Sequence, residues 1–320
     1  MRAVVIDEFG RPGTVRDIPR PDPAPDGAVV QVMSTGVCRS DWHAWQGHDS
    51  GVRLPFVPGH EFAGVVVSVG SSVSAGWIGR RVTTPFVCAC GSCDECRRGD
   101  EQVCSRQEQP GFTHDGSFAE FVAVRYAEHN LVHLPDDISF DVAATLGCRY
   151  ATAWRAVHRR AVVRPGEHVA VYGCGGLGLS AVIVAVEAGA SVSVVDSSAA
   201  AIELALSLGA SASVEGAPHV TLECSGSVEL VSDAVRALRT RGRHVQIGLL
   251  PNGAQVPMDR VIARELDLLG SHGLAAHDYP ELLSGLPVQK VGRLIARHIE
   301  LDDVVGALAS MGPGVTMVNP

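Results

Sequence analysis

The sequence predicts an α/β protein in two parts, a β-rich first part and a doubly wound parallel sheet after it. Three observations carry that prediction. Short alternating apolar runs, punctuated by glycine and proline, fill the first 147 or so residues. From about Tyr150 the rhythm changes to apolar, β-branched runs alternating with helix-length segments. Between one such run and one such helix lies the glycine-rich turn Gly173-Cys174-Gly175-Gly176-Leu177-Gly178. At 320 residues the chain is long enough for about two domains, each with its own core.

In chain order, Arg2–Ile6, Val29–Met33 and Phe62–Val69 read as strands, and Pro19–Gly27 as a turn-rich connector. HVAVYG reads as a buried strand, Gly178–Ala188 as a helix closed by Gly189, SVSVVD as a strand, and Ala199–Leu208 as a helix closed by Gly209. Parallel strands with helices on both faces follow from this alternation. HVQIGLL and LDLLGS supply further strands, and the tail from about Tyr279 is mixed and could return to the first part. One stretch breaks the pattern. A strand-like piece at Ala210–Val214 is followed by another at Val220–Cys224, with only Glu215–His219 between them. A parallel crossover needs about ten residues or more. Either one piece is not a strand of the sheet, or a crossover helix is deleted, or a segment is missing from the sequence.

A net charge of −9 argues against nucleic acid or an anionic membrane as partner. Charges at Asp7 and Glu8 interrupt any signal-peptide core, which places the protein in the cytoplasm. In that compartment nine cysteines read as metal ligands or free thiols, not disulfides. The uncharged run Val169–Val186 approaches membrane-spanning length, but four glycines and a change from strand to helix pattern argue against a span.

Cys90, Cys93, Cys96 and Cys104 crowd into CGSCDECRRGDEQVC, spaced C-x2-C-x2-C-x7-C among polar residues. Four thiolates on short loops make the closed tetrahedral shell of a structural zinc, which here replaces a hydrophobic core. The glycine-rich turn has the strand–turn–helix context of a Rossmann dinucleotide site, and Asp196 ends the next strand 18 residues beyond Gly178. A carboxylate there accepts from ribose hydroxyls and repels a 2′-phosphate, so NAD is favoured over NADP. Helix capping by Asp196 is the plainer alternative. Cys38, His60 and Cys148 could form an open catalytic zinc shell, although singly a cysteine is usually a small buried hydrophobe.

Taken in order, CRSDWH, PGHEFAG, the four-cysteine lobe, LGCRYATAW and GxGxxG make the whole chain resemble the zinc-dependent medium-chain dehydrogenase/reductase family, the zinc alcohol dehydrogenases. The resemblance implies a GroES-like catalytic domain at 1–148 and 276–320 around a Rossmann domain at 149–275. It implies two zinc ions, with Cys38, His60 and Cys148 on the catalytic one and Glu61 close enough to join. Asp41 would orient His60, Arg39 would lie near the pyrophosphate, and Phe86 would line the substrate pocket. Trp42 and Trp45 would shape the pocket's surroundings or serve as core. The implied reaction moves a hydride between an alcohol and NAD, with the proton passing from Ser40 through the nicotinamide ribose to His43. Homodimers or homotetramers built on the outer strands of the cofactor domain are also implied. Two departures stand out: Ala201 where the family commonly has lysine, and no basic residue in GPGVTMVNP. They keep open a second reading, a dehydrogenase fold retained for binding or regulation. A reductase for activated double bonds is a third, disfavoured because such relatives usually lack both zinc sites.

Overall fold

The computed structural model describes residues 1–320 except Ala212, Pro251 and Asn252. It divides into two units, Met1–Ala151 with Gly273–Pro320, and Thr152–His272.

In the first unit, β1 (Arg2–Val5) pairs antiparallel with β2 (Thr14–Asp17). The main sheet is built from β3 (Ala28–Gly36), β4 (Phe62–Val69), β5 (Arg81–Thr83), β6 (Phe121–Val124) and β7 (Val132–His133). β3 is its spine, antiparallel to both β4 and β6. Its inward residues Ala28, Val30 and Val32 pack with Phe62, Val66, Val82 and Val122. The period-two alternation of apolar residues thus places one face of this sheet in the core. β3 leads into helix α1 (Arg39–Trp45), and helix α2 (Arg149–Arg155) begins just after Cys148.

The second unit holds five parallel strands: β8 (His168–Tyr172), β9 (Ser191–Val195), β10 (Val220–Glu223), β11 (Arg243–Gln246) and β12 (Asp267–Gly270). Their spatial order is β12-β11-β10-β8-β9, so the winding reverses between β8 and β10. Helix α3 (Gly176–Glu187) is buried from Gly178 through Ala185, and β8 is buried along its whole length. That double burial explains the uncharged run Val169–Val186. No helix among the described residues is long and apolar enough to cross a membrane. Helix α4 (Ala199–Ser207) is capped by the Ser198 side chain. Helix α5 (Val228–Ala237) buries Val231, Ala234 and Val235, spacings of three and four that form one helical face.

The expected strand at Ala210–Val214 is not there among the described residues, and Ala212 lies outside them. After α4, Ser211 N–H donates to the Val192 carbonyl at 2.7 Å, one contact along the outer side of β9. The chain then turns, and His219 N–H donates to His168 O at 2.9 Å to start β10 beside β8. Neither a crossover helix nor a further strand intervenes among the described residues, so β9 is the sheet's edge. HVQIGLL also pairs over a shorter length than its composition suggests, ending at Gln246.

The tail supplies β13 (Ile295–Ile299) and β14 (Val315–Val318), and β14 joins the first unit's sheet antiparallel to β3.

Two histidines sit within the second unit's sheet. His168 Nε2 lies 2.7 Å from Ser193 Oγ, and His244 Nδ1 lies 3.0 Å from Thr221 Oγ1. Burial holds both below the ordinary histidine value. Unfolding restores that value, about 6.5, so the unfolded chain takes up protons first as pH falls. The stability these histidines contribute is complete above that pH and is lost below it. The thermal midpoint of this unit is therefore expected to drop between about pH 7.5 and about pH 5, and the paired His168→Gln, His244→Gln variant to show a flatter profile in calorimetry.

Candidate active site and metal centres

The register Thr35↔Phe62 sets the end of β3 beside the start of β4. Cys38 follows β3 as the N-cap of α1, His60 and Glu61 precede β4, and Cys148 precedes α2. One ligand atom from each of Cys38, His60, Glu61 and Cys148 lies within 4.8 Å of the others. Two thiols, an imidazole and a carboxylate make a donor set suited to zinc.

Asp41 organises two of these groups. Its Oδ2 accepts from Cys38 N–H at 2.9 Å, and its Oδ1 lies 2.7 Å from His60 Nδ1. Gly59 N–H also donates to Oδ1, at 3.1 Å. Burial lowers the basicity of His60, but Asp41 and Cys38 together more than reverse this, leaving its pKa well above the ordinary value. With Nδ1 engaged, Nε2 is the remaining ligand atom; it is buried, faces the Cys38 thiol, and has no hydrogen bond of good geometry among the described residues. A buried imidazole nitrogen beside two thiols fits a metal ion. The hydrogen bond from Cys148 holds the Cys38 thiol well below its usual pKa, which favours the thiolate a metal requires.

Glu61 is fully buried and faces Arg149. Arg149 donates from its backbone to Oε1 at 3.1 Å and from Nε to Oε2 at 2.6 Å, while Nη2 reaches both Oε2 and the Val37 carbonyl. Burial pushes the Glu61 carboxyl up to about 7 against the pull of Arg149. Arg149 is the functional residue that sequence reasoning passed over. It sits inside the LGCRYATAW motif, directly after Cys148.

Around this cluster, Phe86 packs edge-on to His60 with centroids 6.1 Å apart. Phe112, unremarked in the sequence, does so at 5.3 Å. Ser40 and His43 share one face of α1 by their spacing of three. His43 Nδ1 lies 3.0 Å from His48 Nδ1. Arg39 is exposed and lies over the Trp42 ring at 5.3 Å. Trp45 belongs to the core, with its indole N–H on the Arg11 carbonyl at 2.6 Å.

The second cluster joins Cys90, Cys93, Cys96 and Cys104, again with ligand atoms within 4.8 Å of one another. Among the described residues only Ala89 shares their buried cluster, so the lobe has almost no apolar core of its own. Backbone amides of Cys90 and Arg106 donate to Cys104 Sγ at 3.4 and 3.3 Å, as thiolates prefer. Asn130 holds the lobe's base by bonding both Ala89 N–H, at 2.8 Å, and Ala89 C=O, at 2.9 Å.

In the second unit the glycine turn lies at the β8/β10 reversal, where open parallel sheets bind ligands. Gly173 has φ +90°, and a side chain there would strike Ser225. A side chain on Gly178 would run into the Gly173 carbonyl oxygen. Gly175, at the N-cap of α3, instead faces open space, the room a pyrophosphate needs. Gly176 and Leu177 open the helix with amides that have no partner of their own inside it. Asp196 accepts from Cys174 N–H at 2.6 Å and Ser198 N–H at 2.8 Å. It therefore buttresses the glycine turn, and Ser198, not Asp196, caps α4.

Residues 24–136 match the model of the alcohol dehydrogenase GroES-like domain, and residues 176–286 that of the zinc-binding dehydrogenase domain. An alcohol dehydrogenase of Geobacillus stearothermophilus is 33% identical over 312 residues, 92% of this chain and 91% of that one. The chain belongs to the zinc-type medium-chain dehydrogenase/reductase family. This dehydrogenase is also 32% identical to a sorbitol dehydrogenase of Halalkalibacterium halodurans, over 91% of this chain and 90% of that one. Among solved structures, a zinc-binding dehydrogenase of Sinorhizobium meliloti bound to NADP matches it with TM-score 0.90 at 29% identity, covering 100% of this chain and 99% of that one. The dehydrogenase is accordingly an oxidoreductase with a GroES-like part and a Rossmann-like parallel sheet.

Asp41 shows how closely this site depends on its support. Asp41→Asn keeps the shape but weakens its hold on His60, and zinc affinity or turnover is expected to fall about 10–100-fold. Competition with a chelator, followed by metal analysis, measures it.

Proposed function

We propose that this dehydrogenase interconverts an alcohol and its aldehyde or ketone, using a zinc held by Cys38, His60 and Cys148 and a nicotinamide cofactor on the Gly173–Gly178 turn. The observation that carries this reading is the buried His60 Nε2 inside the thiol and carboxylate cluster. When bound, zinc supplies Lewis acidity toward the substrate oxygen, and the nicotinamide accepts or donates the hydride.

The chain's own residues do the rest. Asp41 fixes the His60 tautomer and presents Nε2. Phe86 and Phe112 wall the His60 side and suit an apolar or aromatic substrate. Ser40 takes the substrate proton and His43 is its destination, an imidazole that can both accept and release a proton. Cys90, Cys93, Cys96 and Cys104 hold a second, structural zinc. The Asp196 carboxylate supports NAD over NADP by charge, although the Sinorhizobium neighbour carries NADP. Assembly as a homodimer or homotetramer is supported by β12, which among the described residues pairs only with β11 and exposes Leu268. The reduced-thiol ligand sets are consistent with a cytoplasmic setting.

The open outer side of β9 keeps the binding or regulatory reading in view, because the adenosine half of the cofactor rests on this part of the sheet. One panel separates the two: primary, secondary and aromatic alcohols and their carbonyl products, each with NAD and with NADP, read by nicotinamide absorbance. Turnover that prefers NAD and falls in Ser40→Ala supports the enzyme reading. Zinc-loaded protein that neither turns over nor binds NADH supports the other.

A further inference from the structure

His48 lies outside every motif above, yet it touches the end of the expected proton path. Its Nδ1 is 3.0 Å from His43 Nδ1, and its backbone N–H donates to the His43 carbonyl at 3.0 Å. Trp42 packs edge-on against both rings, with centroids 5.0 Å from His43 and 5.4 Å from His48, and so fixes their mutual orientation. His43 is half-buried, whereas His48 is exposed on the turn that follows α1. Two imidazole nitrogens at hydrogen-bond distance require that one carries a proton and the other does not.

We infer that His48 is the outer member of a two-histidine relay, taking the proton from His43 and exchanging it with solvent. This rests on the proposed alcohol dehydrogenase activity. A proton arriving at His43 Nε2 lets the Nδ1 proton pass to His48 Nδ1, and His48 releases its own Nε2 proton to water. One proton enters and one leaves, with no electrons moved. In carbonyl reduction the same chain runs inward, and for successive oxidations the two solvent-accessible rings exchange tautomers through water. Placing the charge on the exposed ring spares the half-buried one. Burial lowers the His43 pKa, and the nearby charges of His48 and Arg39 lower it further, against a smaller upward pull from Cys38. His43 therefore holds a proton poorly, and His48 is the adjacent acceptor.

The test compares His48→Gln and His43→Gln in the zinc-loaded enzyme, in weak and in imidazole-containing buffer. His48→Gln is expected to lower kcat about three- to tenfold in weak buffer, with KM values within about twofold, and added imidazole to restore it. Its acid limb in the kcat–pH profile should move to higher pH, because removing the His48 charge raises the His43 pKa. Unchanged zinc content shows that the site itself is intact. Wild-type kcat and pH profile in His48→Gln, with His43→Gln slow, overturn the outer relay alone. Full activity in His43→Gln overturns the relay through His43 and the role of His48 with it.

Discussion

Replacing Arg149 with Met is expected to destabilise the first unit by about 3–5 kcal/mol. The reason is geometric. Glu61 is completely buried, and its hydrogen bonds come from the Arg149 backbone and guanidinium. Removing the cation leaves a buried carboxyl without its main partner, and burial already pushes that carboxyl up to about 7. Thermal unfolding should show a midpoint lower by roughly 6–20 °C for a unit of this size. The double variant Glu61→Gln, Arg149→Met should recover much of the loss, since it buries no unpaired charge. A single variant as stable as the parent would show that Glu61 finds another partner or stays neutral at no cost.

The second large effect is on chemistry. His60→Ala removes the one imidazole from the catalytic cluster while leaving the four-cysteine lobe untouched. A Lewis-acid contribution of several kcal/mol corresponds to a loss of at least about 10²–10³ in turnover. With the two zinc sites proposed above, zinc content is expected to fall from two per chain toward one. The remaining ion should resist chelators, because its four-thiolate shell is closed and its lobe has little other core. Turnover and metal analysis on the same preparation keep the two sites distinguishable.

Local chemistry explains which features were legible in the chain. The lobe was readable because four cysteines in fifteen residues need no tertiary structure to meet. The glycine turn was readable because φ +90° at Gly173 and the close approach at Gly178 both demand glycine. Cys38, His60 and Cys148 were weaker signals, since what gathers them is the β3–β4 register and the position of α2, not spacing along the chain. The contacts of Arg149 and Phe112 are not encoded locally for the same reason. Their importance lies in contacts across 88 residues to Glu61 and with the His60 ring, and neither residue type is unusual alone. The short loop before β10 could be counted in the sequence, but its consequence could not. Only the strand order shows that β9 is left as the edge. Likewise, β14 pairing with β3 depends on a contact about 280 residues apart, which no local pattern encodes.

The position of bound metal tests the reactive centre most directly. Diffraction from crystals of the purified protein, collected on both sides of the zinc absorption edge, locates zinc without reference to activity. The expected result is two anomalous peaks per chain, one among Cys38, His60 and Cys148 and one among Cys90, Cys93, Cys96 and Cys104. A fully zinc-loaded crystal with a peak only in the four-cysteine lobe would contradict the assignment of the reactive centre.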